Sequence, residues 1–228
     1  MKQRETSFQL QDFFIIFIGS ALLTVGVQQA LLSIMPDLGQ IKLARLATGM
    51  WLQDGLFILG VVLLLRYRKA LWAQLGVRKI GARTVVESVA TGVGLYLLML
   101  VMIQLINMLW PGGLQEQNVQ SLMQTDDTLI MRLLVLLTMG VFVPIAEELL
   151  FRGVLYQSFA NHLSSGMAML FTAICFACTH GDLQRLIPFV IGGYVLNLLA
   201  VRKQSVWASA IAHGTWNSIM IIVYYIAI

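Results

Sequence analysis

Apolar runs long enough to cross a bilayer recur along almost the whole chain, and they limit the fold more than any motif does. A helix needs about 20 apolar residues to span the hydrocarbon. Such runs occur at Asp12–Pro36, Thr48–Leu65, Thr84–Trp110, Thr128–Ala160 and Val206–Ile228, with shorter ones at Gly166–Thr179 and Leu186–Val201. The pattern predicts an all-α polytopic membrane bundle of about seven transmembrane helices around a polar cavity. Composition agrees: 11% of the 228 residues are charged and 58% are hydrophobic, whereas about a quarter of a soluble domain is charged. No linker, low-complexity tract or repeat divides the chain, so residues 1–228 are expected to form a single transmembrane domain. The first run exceeds a signal-peptide core of about 7–15 residues and ends without a small-x-small cleavage site, which predicts a retained helix.

Charge gives an orientation. The segment Arg66–Arg83 holds six Lys/Arg and no acid, while Pro111–Asp127 holds Glu116, Asp126 and Asp127 and no base. The positive-inside rule places the first in the cytoplasm and the second outside. Lys2, Arg4, Arg202 and Lys203 agree, and Lys42 and Arg45 disagree. The expected arrangement is N-terminus in and C-terminus out, in a bacterial cell membrane. The net charge of +4 gathers at membrane edges and does not point to nucleic acid.

Several polar residues read as structural. Asp54 and Gln53 are expected at the interface. Glu87 is expected to pair locally with Arg83, four residues away. His162 falls in a polar turn and is expected in solvent. Cys175 and Cys178 read as small hydrophobes in an apolar helix. Gly92, Gly94, Gly192 and Gly193 read as sites of close helix approach.

The residues that remain carry chemistry. Glu147, Glu148 and Arg152 sit inside the long fourth run, where charge is costly and marks a functional site. Glu148 and Arg152 are i,i+4 neighbours on one helix face. Glu147 points about 140° away from Arg152 and has no cation on its own helix. This assigns Glu148 and Arg152 to a fixed supporting pair and leaves Glu147 as a base toward water. His180 ends the short fifth run. His213 and Asn217 share a face of the last one. No H-E-x-x-H, G-x-S-x-G or paired membrane aspartates are present, so a glutamate-and-histidine site is the candidate hydrolase.

Glu147-Glu148-x-x-x-Arg152, Phe176-x-x-x-His180 and His213-x-x-x-Asn217, in that order, resemble the motifs of the CPBP family, which comprises CAAX-protease-like and bacteriocin-processing-like (Abi) proteins. Gly192-Gly193-Tyr194 and Ser205-Val206-Trp207 resemble the region before its last histidine. The resemblance covers roughly residues 128–220, which are expected to be the catalytic core. It implies an intramembrane endopeptidase of the bacterial type, with Glu147, His180, His213 and Asn217 catalytic and Glu148 and Arg152 supporting. The implied partners are the bilayer and a membrane-associated peptide or protein substrate.

The expected reaction is peptide-bond hydrolysis. Glu147 activates water, Asn217 and one histidine hold the oxyanion, and the other histidine serves the water or the leaving amine. Zinc stays open as a cofactor, with Glu147, His180 and His213 as its ligands if any is bound. Metal-independent water activation is favoured, because using Glu147 as a ligand would remove the base. The rival reading is a non-catalytic membrane protein of the same fold that gives bacteriocin immunity by binding. A transporter is disfavoured, since paired broken-helix repeats are missing from the sequence.

Overall fold

A computed structural model describes residues 8–37, 41, 44, 46–109, 114 and 128–227. Lys2, Arg4, Lys42, Arg45 and the acidic segment with Glu116, Asp126 and Asp127 lie outside the described residues. The described chain is helical throughout, without strands. Its helices are α1 (Leu10–Ile34), α2 (Thr48–Arg68), α3 (Ala82–Leu109), α4 (Leu129–Ala160), α5 (Ser165–Thr179), α6 (Leu186–Lys203) and α7 (Val206–Ala227). Six are long and apolar enough to cross a membrane. The exception is α5, whose 15 residues rise about 22 Å. Apolar side chains such as Ile15, Leu22, Leu97, Val101, Leu129 and Leu137 face outward, as a lipid-solvated bundle requires. The protein is an integral membrane protein.

The core is built from aromatic rings and close backbone contacts. Phe13, Phe57, Phe151 and Phe176 are buried in one cluster around α1, α2, α4 and α5, and Leu95, Met99, Leu196 and Trp216 in another around α3, α6 and α7. Glycine permits the tightest approaches. A Cβ on Gly92 would lie 2.4 Å from Ala212 O, and one on Gly193 3.2 Å from Ala173 Cα. Gly94, read as a packing glycine, has open space instead.

Polar ties collect at one end of the bundle. Arg83 pairs with Glu87 at 2.9 Å as expected, and Lys203 from the end of α6 also pairs with Glu87. Arg68 meets Asp12 at 2.8 Å, joining the end of α2 to the start of α1. Val206 N donates to Gly76 O at 2.9 Å, fixing the start of α7. His162 is exposed, as expected.

The long helix α4 is irregular where it matters. Its α-helical pieces are interrupted by π-helical turns at Thr138–Phe142 and Leu149–Leu155. Pro144 has no N–H, so position 144 can donate to neither Gly140 O in α register nor Met139 O in π register. Both carbonyls face α7. A Cβ on Gly214 would sit 2.2 Å from Gly140 O, and Asn217 Nδ2 donates to Met139 O at 3.0 Å. The break in α4 therefore docks α7 in one register, with Gly214 next to His213. Gly214→Ala places a methyl against backbone that cannot yield. It is expected to cost at least the ~1–3 kcal/mol typical of overpacking, read as a lowered midpoint of thermal unfolding in detergent.

Candidate active site

The π-helical turns of α4 and the docking of α7 accompany the placement of the sequence-predicted residues around one cavity. Its volume is 720 Å³, and Glu147, His180, His213 and Asn217 all line it. Apolar Met50, Val143, Phe189 and Met220 complete much of the wall. The four residues to which the motif resemblance assigned catalysis thus line one cavity.

Glu148 is not on the cavity wall. It is fully buried, and its Oε1 accepts from Arg152 Nη1 at 2.8 Å. The same oxygen meets His213 Nδ1 at 3.0 Å. Paired with Arg152, the carboxylate accepts, so Nδ1 of His213 carries the proton. Arg152 Nη2 also donates to Gly193 O at 3.1 Å, and the guanidinium carbon lies 4.6 Å from the centre of the Phe176 ring. Among the described residues, Glu148 Oε2 and Arg152 Nε make no hydrogen bond of standard geometry, although the Ser209 hydroxyl interacts with the Glu148 carboxylate. A half-satisfied buried pair contributes little stability. Its evident effect is to fix His213.

With Nδ1–H committed to Glu148, a neutral His213 presents the Nε2 lone pair to the cavity. Nε2 lies 3.8 Å from Glu147 Oε2, too far for a direct hydrogen bond. Two acceptors at this spacing suit a single water that donates one O–H to each, at about 2.8 Å. Asn217 is the better donor: one N–H is held by Met139 O, and the amide has a second N–H.

His180 is fixed by the way α5 ends. Gly181 takes φ 64°, a left-handed conformation that closes the helix. The backbone N–H of His180 turns to Ala177 O at 3.2 Å, releasing Phe176 O from its α-helical partner. That carbonyl receives the His180 ring through Nδ1 at 2.9 Å. A carbonyl only accepts, so His180 also carries its proton on Nδ1 and presents Nε2 as a lone pair.

Two residues of the site escaped the sequence reading. Phe176 entered only as a motif letter. Its ring stands edge-on to His180 at 4.7 Å and to His213 at 5.7 Å, wedged between the two imidazoles. Asp54 was expected at the interface, yet it is 5% exposed and lies within electrostatic range of Glu147. The signal that could have revealed it is general: a carboxylate inside an apolar run is a functional candidate by default.

Zinc requires about three convergent protein donors. Among the described residues, no three His, Cys, Asp or Glu side chains come together as a metal-ligand set. Glu147, His180 and His213 share the cavity without forming one, so the arrangement does not fit zinc as it stands.

The geometry defines a class: a helical membrane protein with a carboxylate, two oriented imidazoles and a carboxamide around an intramembrane cavity. Comparison with known proteins narrows it. Residues 129–219 match the family model for type II CAAX prenyl endopeptidase Rce1-like proteins. The match runs from the start of α4 well into α7 and covers less than half of the chain; over that stretch the CAAX-protease-like resemblance of the motifs is borne out. The chain is 24% identical over 110 residues to "Putative membrane peptidase YdiL" of Bacillus subtilis (strain 168), covering 48% of this chain and 44% of that protein. It is 31% identical over 80 residues to "UPF0177 protein YxdF" of Lactococcus lactis subsp. lactis (strain IL1403), covering 35% of this chain and 44% of that protein. The matched stretch thus spans less than half the length of either relative. No solved structure matches.

Proposed function

We propose that the protein is an intramembrane endopeptidase that cuts a peptide bond of a membrane-associated peptide or protein. The observation that carries this reading is the pairing of two acceptors, Glu147 Oε2 and His213 Nε2, 3.8 Å apart on the wall of a 720 Å³ cavity. Water held between them loses a proton to Glu147 as its oxygen attacks the scissile carbonyl. The free N–H of Asn217 donates to the oxygen of the tetrahedral intermediate. The proton then passes from Glu147, directly or by way of a histidine Nε2, to the leaving amine as the C–N bond breaks. Glu148 and Arg152 act only through His213. The Rce1-like match and the name of the Bacillus relative support a CAAX-type protease at the level of the family. A protein that merely bound peptide would have no need of a base aligned with an imidazole lone pair.

The test uses purified protein in liposomes supplied with membrane extract from its host. New peptide termini are expected, and a strong chelator is expected to leave their yield unchanged. Failure to generate new termini contradicts the hydrolytic reading. Loss of activity in chelator, restored by zinc, contradicts the metal-independent one.

A further inference from the structure

The cavity has a floor and a mouth, and the distribution of charge says which side of a membrane the mouth faces. One end of the bundle is defined by its ties. Arg68 pairs with Asp12, Lys203 with Glu87, Val206 N with Gly76 O, and Asn161 Nδ2 donates to Phe8 O at 2.9 Å. This end gathers the starts of α1, α3 and α7 and the ends of α2, α4 and α6. It carries Arg66 and Arg68 in the last turn of α2, Lys69, Arg78 and Lys79 between α2 and α3, Arg83 at the start of α3, and Arg202 and Lys203 closing α6. Among the described residues, the opposite end carries Arg132 and Arg185.

The cavity extends from mid-bundle toward the opposite end. Glu147 lies near the middle of α4, about 20 Å from its basic end and about 27 Å from Leu129, while on α7 the lining runs from His213, about 10 Å from Val206, to Met220, about 21 Å from it, at 1.5 Å per residue. Exposure rises away from the basic end. His213 is 3% exposed at the floor, the Glu147 side chain is 18% exposed, and His180 and Gly181 are exposed. The loop from Gly181 to Arg185, which follows α5, therefore forms the mouth.

Lys and Arg flanking membrane helices are retained on the cytoplasmic side. We infer that the basic end is cytoplasmic and that the cavity opens on the extracytoplasmic face. The substrates are then peptides or proteins whose scissile segment lies at the outer leaflet. The statement about substrates rests on the hydrolytic reading, whereas the sidedness of the cavity does not.

Cysteine accessibility tests it in the full-length protein. The native Cys175 and Cys178 are replaced by alanine, and single cysteines are introduced as Leu183→Cys and Gln184→Cys at the mouth and Ala73→Cys in the basic loop. Intact cells are treated with a membrane-impermeant maleimide, before and after permeabilisation. Both mouth positions are expected to label in intact cells at least tenfold more than Ala73→Cys, which labels after permeabilisation. Labelling of Ala73→Cys in intact cells, or of the mouth positions only after permeabilisation, would overturn the inference. Mouth positions that label in neither condition would overturn it equally, because no open mouth would exist. The same pattern is expected in a Glu147→Gln background, so failure of the hydrolytic reading leaves this result interpretable.

Discussion

Arg152→Leu is expected to destabilise the protein by about 3–5 kcal/mol, because it leaves the Glu148 carboxylate charged and buried without its partner. Arg152 is 2% exposed and Glu148 is fully buried, so water cannot compensate for the loss. The Gly193 carbonyl loses its donor as well. The measurement is the unfolding midpoint in detergent. The double variant Glu148→Leu with Arg152→Leu separates stability from function. Replacing a buried pair by apolar side chains is often neutral or stabilising, so the double variant is expected to recover most of the loss. It is not expected to recover activity, since His213 Nδ1 no longer has an acceptor and its Nε2 is no longer held toward Glu147. If activity returned with stability, Glu148 and Arg152 would be structural and nothing more.

Glu147→Gln is expected to do the reverse. The Glu147 carboxylate makes no direct hydrogen bond to His213 at 3.8 Å, and glutamine has the same shape. The unfolding midpoint is expected to stay within about 0.5 kcal/mol of wild type, the range of substitutions that disturb no packing or network. Hydrolysis is expected to fall by about 10²–10⁴, the contribution of a positioned general base. Asn217→Ala is a weaker companion, because it also removes the tie to Met139 O that seats α7.

Much of this was legible in the sequence because it is local. Apolar runs mark helices, since the bilayer sets their length. The i,i+4 spacing of Glu148 and Arg152 foretold the 2.8 Å pair, and the same spacing put His213 and Asn217 on one face. What escaped is long-range or depends on register. Glu148 and His213 are 65 residues apart, and no periodicity shows that one carboxylate serves both Arg152 and His213. That contact decides the tautomer of a neutral His213, and with it which nitrogen faces the cavity. The π turns of α4 were also invisible. Pro144 announced a break, but which carbonyls it freed, and that Asn217 and Gly214 would meet them, depends on how α7 lies against α4. Asp54 was misplaced because position along a helix says nothing about which neighbour covers it.

The central claim is that Glu147 is the reactive carboxylate of a hydrolytic site assembled from α4, α5 and α7. The most direct measurement compares the membrane peptides of cells producing wild type with those of cells producing Glu147→Gln at equal levels. The account predicts at least one peptide terminus that is present with wild type and absent with the variant. Identical peptide populations in the two membranes, with both proteins folded and present, would contradict it.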